Sequence, residues 1–185
     1  MRIPSAKVPH LLTVALVACL AALSACDDED DRFVIPDRSP LGIWRDDVAF
    51  VDATNVPQVQ IDRFVEANGM DTVVTATNLV YEILAEGSGE LPSATDTVVV
   101  NYRGYHVDGR IFDETDVSRG ATRGPATGFI AGFSEALRNT RPGGRTWVLI
   151  RPSLGYGNAG LARAGITGNS VIVFEIDLVE VVPGP

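Results

Sequence analysis

The chain has 185 residues, of which 45% are hydrophobic, and a formal net charge of −9 at pH 7. This length accommodates one ordinary domain with additional segments. The acidic balance argues against nucleic acid or anionic lipid headgroups as partners, because both are negatively charged. Cysteine and histidine number only two each, which leaves little material for a disulfide framework or a histidine-rich metal site.

Residues 1–25 have the anatomy of a secretory signal peptide. Arg2 and Lys7 precede the apolar run LLTVALVACLAAL, which is shorter than the roughly 20 residues that a membrane span needs. The run ends in LSAC, with Ser24 and Ala25 before Cys26, and this resembles the lipobox of bacterial lipoproteins. The resemblance implies lipidation of Cys26 and a lipid-anchored, periplasm-facing protein of the bacterial cell envelope. The alternative is an ordinary signal peptide with a chance cysteine.

Residues 26–57 are predicted to form an acidic tether and an irregular linker. DDEDDR follows Cys26 directly, and its like charges favour a solvated, extended spacer. Cleavage before Cys26 would also remove Cys19 and His10 and leave His106 as the one histidine. No disulfide, thiol chemistry or metal site is therefore expected.

Residues 58–78 are predicted to contain a short helix and a connection. Val59, Ile61, Phe64 and Val65 are spaced to share one helical face, and Gly69 is the predicted stop. The segment could dock on the following domain or on a second copy of the chain.

Residues 79–185 are predicted to form an α+β domain. NLVYEILAEG, TVVVNYRG and SVIVFEIDLVEV are typical of strands, and GFSEALRN followed by TRPGG predicts one helix between them. In the last strand, Phe174 and Ile176 alternate with Glu175 and Asp177. This alternation predicts an antiparallel strand with one face on a core and one in water.

Four blocks of this region resemble, in order, the FKBP-type peptidyl-prolyl cis-trans isomerases. They are YEILAEGSGELP, VVVNYRGYHVDGRIFDET, GFIAGFSEALRNTRPGGRTWVLIRPSLGYG and GITGNSVIVFEIDLVEV, and IDRFVEANGM is similar to the N-terminal helix of secreted bacterial members. The resemblance implies a twisted antiparallel sheet wrapped around one short helix, with an apolar cleft between them. It also implies proline-containing polypeptides as substrates, macrolide inhibitors as ligands, and no cofactor.

The resemblance assigns roles by position. It implies catalytic roles for Tyr102, Phe112, Asp113, Ile130 and Tyr156, and substrate-binding roles for Phe129, Phe133, Ile166, Phe174 and Arg119. In the family, the backbone N–H at the Ile130 position and the Tyr156 hydroxyl hold substrate carbonyls. Asp113 is expected to accept hydrogen bonds from Tyr102 and Arg119.

Phe112 and Asp113 pose a geometric problem, because successive strand residues point to opposite faces of a sheet. Both are nevertheless expected at one cleft. A bulge or a twist at the strand end is predicted, since either frees neighbouring residues from strict alternation.

The resemblance, together with the signal peptide, implies an isomerase that assists folding of exported proteins, and the chemistry of an apolar cleft agrees with it. Two other functions stay open. One is a binding module or chaperone that recognises proline segments with little or no turnover, favoured by Phe133 where the family usually has Trp and by Gly124 where an aromatic is common. The other is a scaffold lipoprotein with a vestigial cleft.

Three further features receive structural interpretations. GYGNAG fits the G-x-G-x-x-G pattern, but no βαβ unit surrounds it, so a loop is predicted. Asp108 and Gly109 form a hairpin-turn dipeptide, which argues against Asp108 and Asp113 as paired glycosidase carboxylates. His106 is predicted to lie on an exposed strand edge.

Overall fold

A computed structural model of the chain describes residues 48–51, 56–116 and 118–185. The predicted signal peptide, Cys26 and the acidic run lie outside these residues. The elements are α1 (Pro57–Asn68), β1 (Val73–Val74), β2 (Val80–Ala85), β3 (Thr97–His106), β4 (Ile111–Glu114), β5 (Thr122–Pro125), α2 (Ala131–Leu137), β6 (Gly144–Ile150) and β7 (Ile172–Val182). Within the described ranges, neither α-helix has the length and apolarity that crossing a membrane requires.

The strands form one antiparallel sheet. Its order is β1-β2-β6-β7-β3-β4, and β5 also pairs with β3. β4 pairs with the C-terminal half of β3 and β5 with its N-terminal half, so the segment between them crosses one edge of the sheet. The expected antiparallel sheet with a short helix is confirmed, as are the hairpin turn at Gly109, where φ is 88°, and the loop at Gly155–Gly160.

Helix α2 covers the inner face of the sheet. Phe133 and Leu137 point into a core with Val148, Ile176 and other apolar residues of the central strands. The helix lies very close to β6, because a Cβ atom added at Gly132 would be 2.7 Å from Ile150 Cγ2. Glycine at this position therefore permits the helix–sheet contact.

A second core covers the outer face of the sheet. Phe64 of α1 is fully buried, and its ring centroid lies 5.4 Å from that of Trp147 on β6. Residues 48–51 join this layer, because the side-chain amide of Asn68 hydrogen-bonds the backbone N–H and C=O of Ala49, each at 2.8 Å. Helix α1 is thus an integral layer of the domain.

The expectation of a solvated face on β7 is wrong for the first half of the strand and holds for the second half, where Asp177 is partly exposed and Glu180 is exposed. Val173 and Glu175, which should face water, are both 0% exposed. A carboxylate oxygen of Glu175 lies 3.9 Å from the guanidinium of Arg145 on the neighbouring strand β6. Burial and the charge of Glu175 raise the pKa of Tyr105 to about 12. Alternation correctly separates the two faces, but it does not reveal that α1 covers the outer one.

Removing the Phe64 ring should test this outer layer. We expect Phe64→Ala to lower the free energy of unfolding by about 3–5 kcal/mol, because it leaves a cavity beneath α1. Urea denaturation measures the change. Val59→Ala on the same helix is the control, since Val59 is 36% exposed. Equal midpoints for both variants would contradict an integral α1.

Candidate active site

Aromatic rings form the floor of a cleft between α2 and the sheet. The ring of Phe133, from α2, meets that of Phe174, from β7, nearly at a right angle, with centroids 5.1 Å apart. Tyr102 of β3 lies edge-on to both rings, at 5.6 and 6.0 Å. Phe129 stacks on Phe133 at 4.7 Å. Two strands, a helix and the loop that precedes the helix therefore converge on one aromatic cluster.

The cluster is buried at its base and open at its rim. Phe133, Phe174 and Ile166 are nearly fully buried. The partly exposed members are Tyr102, Phe112, Phe129, Ile130 and Tyr156. The rings thus line a half-open apolar surface that a small ring from another molecule can reach.

A β-bulge brings Phe112 and Asp113 to the same cleft. Gly104 pairs with Asp113, but the next residue, Tyr105, pairs with Ile111, so Phe112 is the extra residue of β4. The Phe112 ring packs 5.3 Å from the Phe174 ring, while Asp113 accepts a hydrogen bond from the Tyr102 hydroxyl at 3.0 Å. The predicted bulge is confirmed, and with it the common orientation of these two neighbours.

Glycine at position 104 makes room for the bulge. A Cβ atom there would lie 2.7 Å from carbon atoms of both the Phe112 and Phe174 rings. Real Cβ atoms do not approach carbon so closely, so any larger residue must displace at least one ring.

The tyrosine hydroxyls remain protonated donors at neutral pH. Burial, followed by the charge of Asp113, holds the pKa of Tyr102 well above its ordinary value. The same two causes raise the pKa of Tyr156, although Arg163 partly opposes them. Asp113 is exposed and orients the Tyr102 side of the cleft through its accepted hydrogen bond.

Ile130 is the N-cap of α2. Its C=O accepts from the Ser134 N–H at 3.0 Å, whereas the N–H of a residue at this position has no partner within the helix. The geometry is compatible with the donor role that the family resemblance implies for Ile130.

Arg119 and His106 are not where sequence analysis placed them. Arg119 is 86% exposed and pairs with Asp116 at 3.1 Å, so the expected bond to Asp113 is wrong. His106 is only 8% exposed, so the expected exposed edge is also wrong. The ring of His106 lies 5.4 Å from that of Phe112. In the sequence, the only indication of this contact is that His106 stands just before the β3–β4 turn.

In the described part of the chain, no group of three or more His, Cys, Asp or Glu side chains is arranged to hold a metal ion. The site consists instead of apolar rings, phenolic donors and one carboxylate. An antiparallel sheet around a short helix, with this half-open apolar cleft between them, defines the class of the domain.

Comparison with known proteins places the domain in a family. The sequence model of the FKBP-type peptidyl-prolyl cis-trans isomerases matches residues 88–179, which include every residue assigned to the cleft. The chain therefore belongs to the FKBP family.

Relatives and solved structures agree with this assignment. The FKBP-type peptidyl-prolyl cis-trans isomerase FkpA of Escherichia coli is 39% identical over 124 residues, covering 67% of this chain and 44% of that protein. The FkpA crystal structure aligns at 36% identity with a TM-score of 0.63, over 70% of this chain and 59% of that chain. The crystal structure of a Pseudomonas syringae peptidyl-prolyl cis-trans isomerase aligns at 25% identity with a TM-score of 0.61. The alignment covers 72% of this chain and 99% of that chain. This chain spans less than half the length of curated FkpA.

Two glycines give a matched test of the site geometry. Gly104→Ala should lower the free energy of unfolding by about 1–3 kcal/mol, because the new methyl group overlaps two rings. A Cβ at Gly124 would meet nothing within 4 Å, so Gly124→Ala should stay within about 0.5 kcal/mol. Thermal unfolding and aromatic NMR shifts measure both effects. Wild-type Phe112 and Phe174 resonances in Gly104→Ala would contradict the close approach.

Proposed function

We propose that this chain is a peptidyl-prolyl cis-trans isomerase that assists the folding of exported proteins from a lipid anchor at the cell envelope. The observation that carries the proposal is the half-open aromatic cleft of an FKBP-family domain, with Phe112 and Asp113 turned to the same side by a bulge. The substrates proposed are polypeptide segments that contain proline.

The cleft suits a reaction in which no bond is broken. Rotation of an X-Pro bond must overcome the amide resonance, a barrier of about 18–20 kcal/mol. The twisted amide has lost that resonance and the charge separation that goes with it. Phe133 and Phe174 supply an apolar floor that grips the prolyl ring and keeps water from the amide. The less polar twisted state is therefore favoured over the planar one.

Polar groups at the rim hold the segment while the bond rotates. The Tyr156 hydroxyl and the Ile130 N–H are the proposed donors to substrate carbonyls, as the family resemblance implies. Asp113 acts on Tyr102, whose hydroxyl it fixes at 3.0 Å. Because the Tyr156 phenol retains its proton at neutral pH, the rim presents a hydroxyl donor to the peptide backbone.

A binding module with little turnover is the second candidate. It is favoured by Gly124, where the family often has an aromatic side chain and where an added Cβ would meet nothing within 4 Å, and by Phe133 in place of a larger tryptophan. A wider cleft exposes a bound amide to water, which weakens the preference for the twisted state while preserving recognition of proline.

A protease-coupled assay with a prolyl tetrapeptide tests the enzymatic proposal. We expect the protein to accelerate isomerisation, and Phe112→Ala and Asp113→Ala to lose about tenfold or more in kcat/KM while remaining folded. For Phe112→Ala the reason is the lost apolar contact with the prolyl ring, since burying a side chain of this size contributes about 1.5–3 kcal/mol. Glu180→Ala, on an exposed position at the far end of β7, should match wild type.

Titration with a macrolide inhibitor of the family separates the two candidates. Tight binding without acceleration of isomerisation would support the binding module. Absence of both binding and acceleration would contradict each of them.

The lipid anchor is proposed from LSAC and the acidic run behind it. More than one acyl chain on Cys26 gives durable membrane attachment, since each buried CH₂ contributes about 0.8 kcal/mol. In a bacterial host, we expect the wild-type chain in the membrane fraction and Cys26→Ser in the soluble one. Cys19→Ser is the control and should fractionate like wild type. Membrane association of Cys26→Ser equal to wild type would overturn the anchor.

A further inference from the structure

His106 lies directly behind the wall of the cleft. It is the last residue of β3, and its ring contacts the Phe112 ring at a centroid distance of 5.4 Å and an angle of 72°. Phe112 in turn packs on Phe174 at the floor of the cleft. Among the described contacts, the Phe112 ring thus packs against both the Phe174 ring of the floor and the His106 ring.

His106 also contacts the loop that brings Ile166 to the cleft. Its imidazole lies close enough to the backbone of Ala164 for a hydrogen bond to the C=O group, an interaction that favours the protonated ring and so raises the pKa of His106. That loop is closed by paired backbone bonds between Leu161 and Ile166, at 2.8 and 3.1 Å, which join its two ends. Ile166 is 3% exposed and belongs to the same core cluster as the cleft floor. One side chain therefore connects two parts of the site.

The surroundings of His106 favour its neutral form. Burial lowers the pKa from its ordinary value of 6.5, and Arg110 lowers it further, while Asp108 and the bond to Ala164 oppose them. The other elements packed against it present uncharged groups, namely Phe112 of β4, Ile172 of β7, its register partner, and the Ala164 backbone. At neutral pH the ring therefore donates one N–H and carries no charge.

We propose that His106 is a positioning residue: its neutral ring holds Phe112 and the Leu161–Ile166 loop in place, and its protonation loosens both in mildly acidic conditions. The inference rests on the proposed isomerase function. Since the pKa of His106 is lowered on folding, the unfolded chain binds the proton more tightly. The stabilisation from His106 is complete above pH 6.5 and is lost as the pH falls from there.

The activity test follows kcat/KM from pH 8 to pH 5, by NMR exchange on a prolyl peptide without ionisable side chains. We expect a fall of about three- to tenfold in wild type, a modest share of the roughly 10²-fold that a 1 Å misplacement can cost. His106→Gln keeps an N–H donor but does not titrate, so it should retain most activity at pH 7.5 with a flat profile. His106→Leu should be flat and less active throughout.

Cleavage before Cys26 removes His10 with the signal peptide and leaves His106 as the one histidine of the mature chain, so an imidazole titration in that chain reports this residue. A flat wild-type profile, or a fall in His106→Gln as steep as in wild type, would overturn the proposal.

A second measurement separates this proposal from the proposed function. The Phe112 ring and Ala164 amide resonances should shift with the titration of His106 whether or not the protein turns over substrate. Shifts without catalysis would refute the isomerase and keep the positioning role. If these resonances do not shift as His106 titrates, the positioning role is overturned even when the enzyme is active.

Discussion

The close packing of two phenylalanine rings over Gly104 is the constraint on which the site depends. The rings of Phe112 and Phe174 occupy the space that any Cβ at this position would need. Phe112 reaches that space only because the register slips by one residue between Gly104 and Tyr105. The slip leaves Asp113 on the same side, within reach of the Tyr102 hydroxyl. A single backbone irregularity thus provides both the apolar wall and the acceptor that orients it.

A rigid sheet is what makes a half-open cleft possible. An apolar surface left accessible for a substrate lacks the packing that stabilises a core, so the rings that border it must be held from behind. The second core, with Phe64 and Trp147 at its centre, covers the outer face of the strands that carry the cleft residues. Buried Arg103 pairs with Glu114 at 3.0 Å and holds β4 next to the bulge. The site therefore depends on residues far outside its rim.

Local pattern and family resemblance encode much of the fold and of the site. Helix α1, strand β7, helix α2 and the bulge at Phe112 were predicted because periodicity, turn residues or the quoted motifs mark them. The short edge strands β1 and β5 were missed, since two to four residues carry no periodicity. The burial of Glu175 and His106 was missed because alternation does not reveal what covers a face. Arg119 pairs with its close neighbour Asp116, a local contact that prevails over the predicted reach to Asp113.

The central claim is that the aromatic cleft holds a prolyl ring while the preceding bond rotates. NMR of the protein with a proline-containing peptide tests it most directly, because one experiment reports contact and exchange together. The account predicts nuclear Overhauser contacts from the proline ring protons to Phe133 and Phe174, with cis–trans exchange faster than in free peptide. Contacts confined to another surface, or exchange unchanged by the protein, would contradict it.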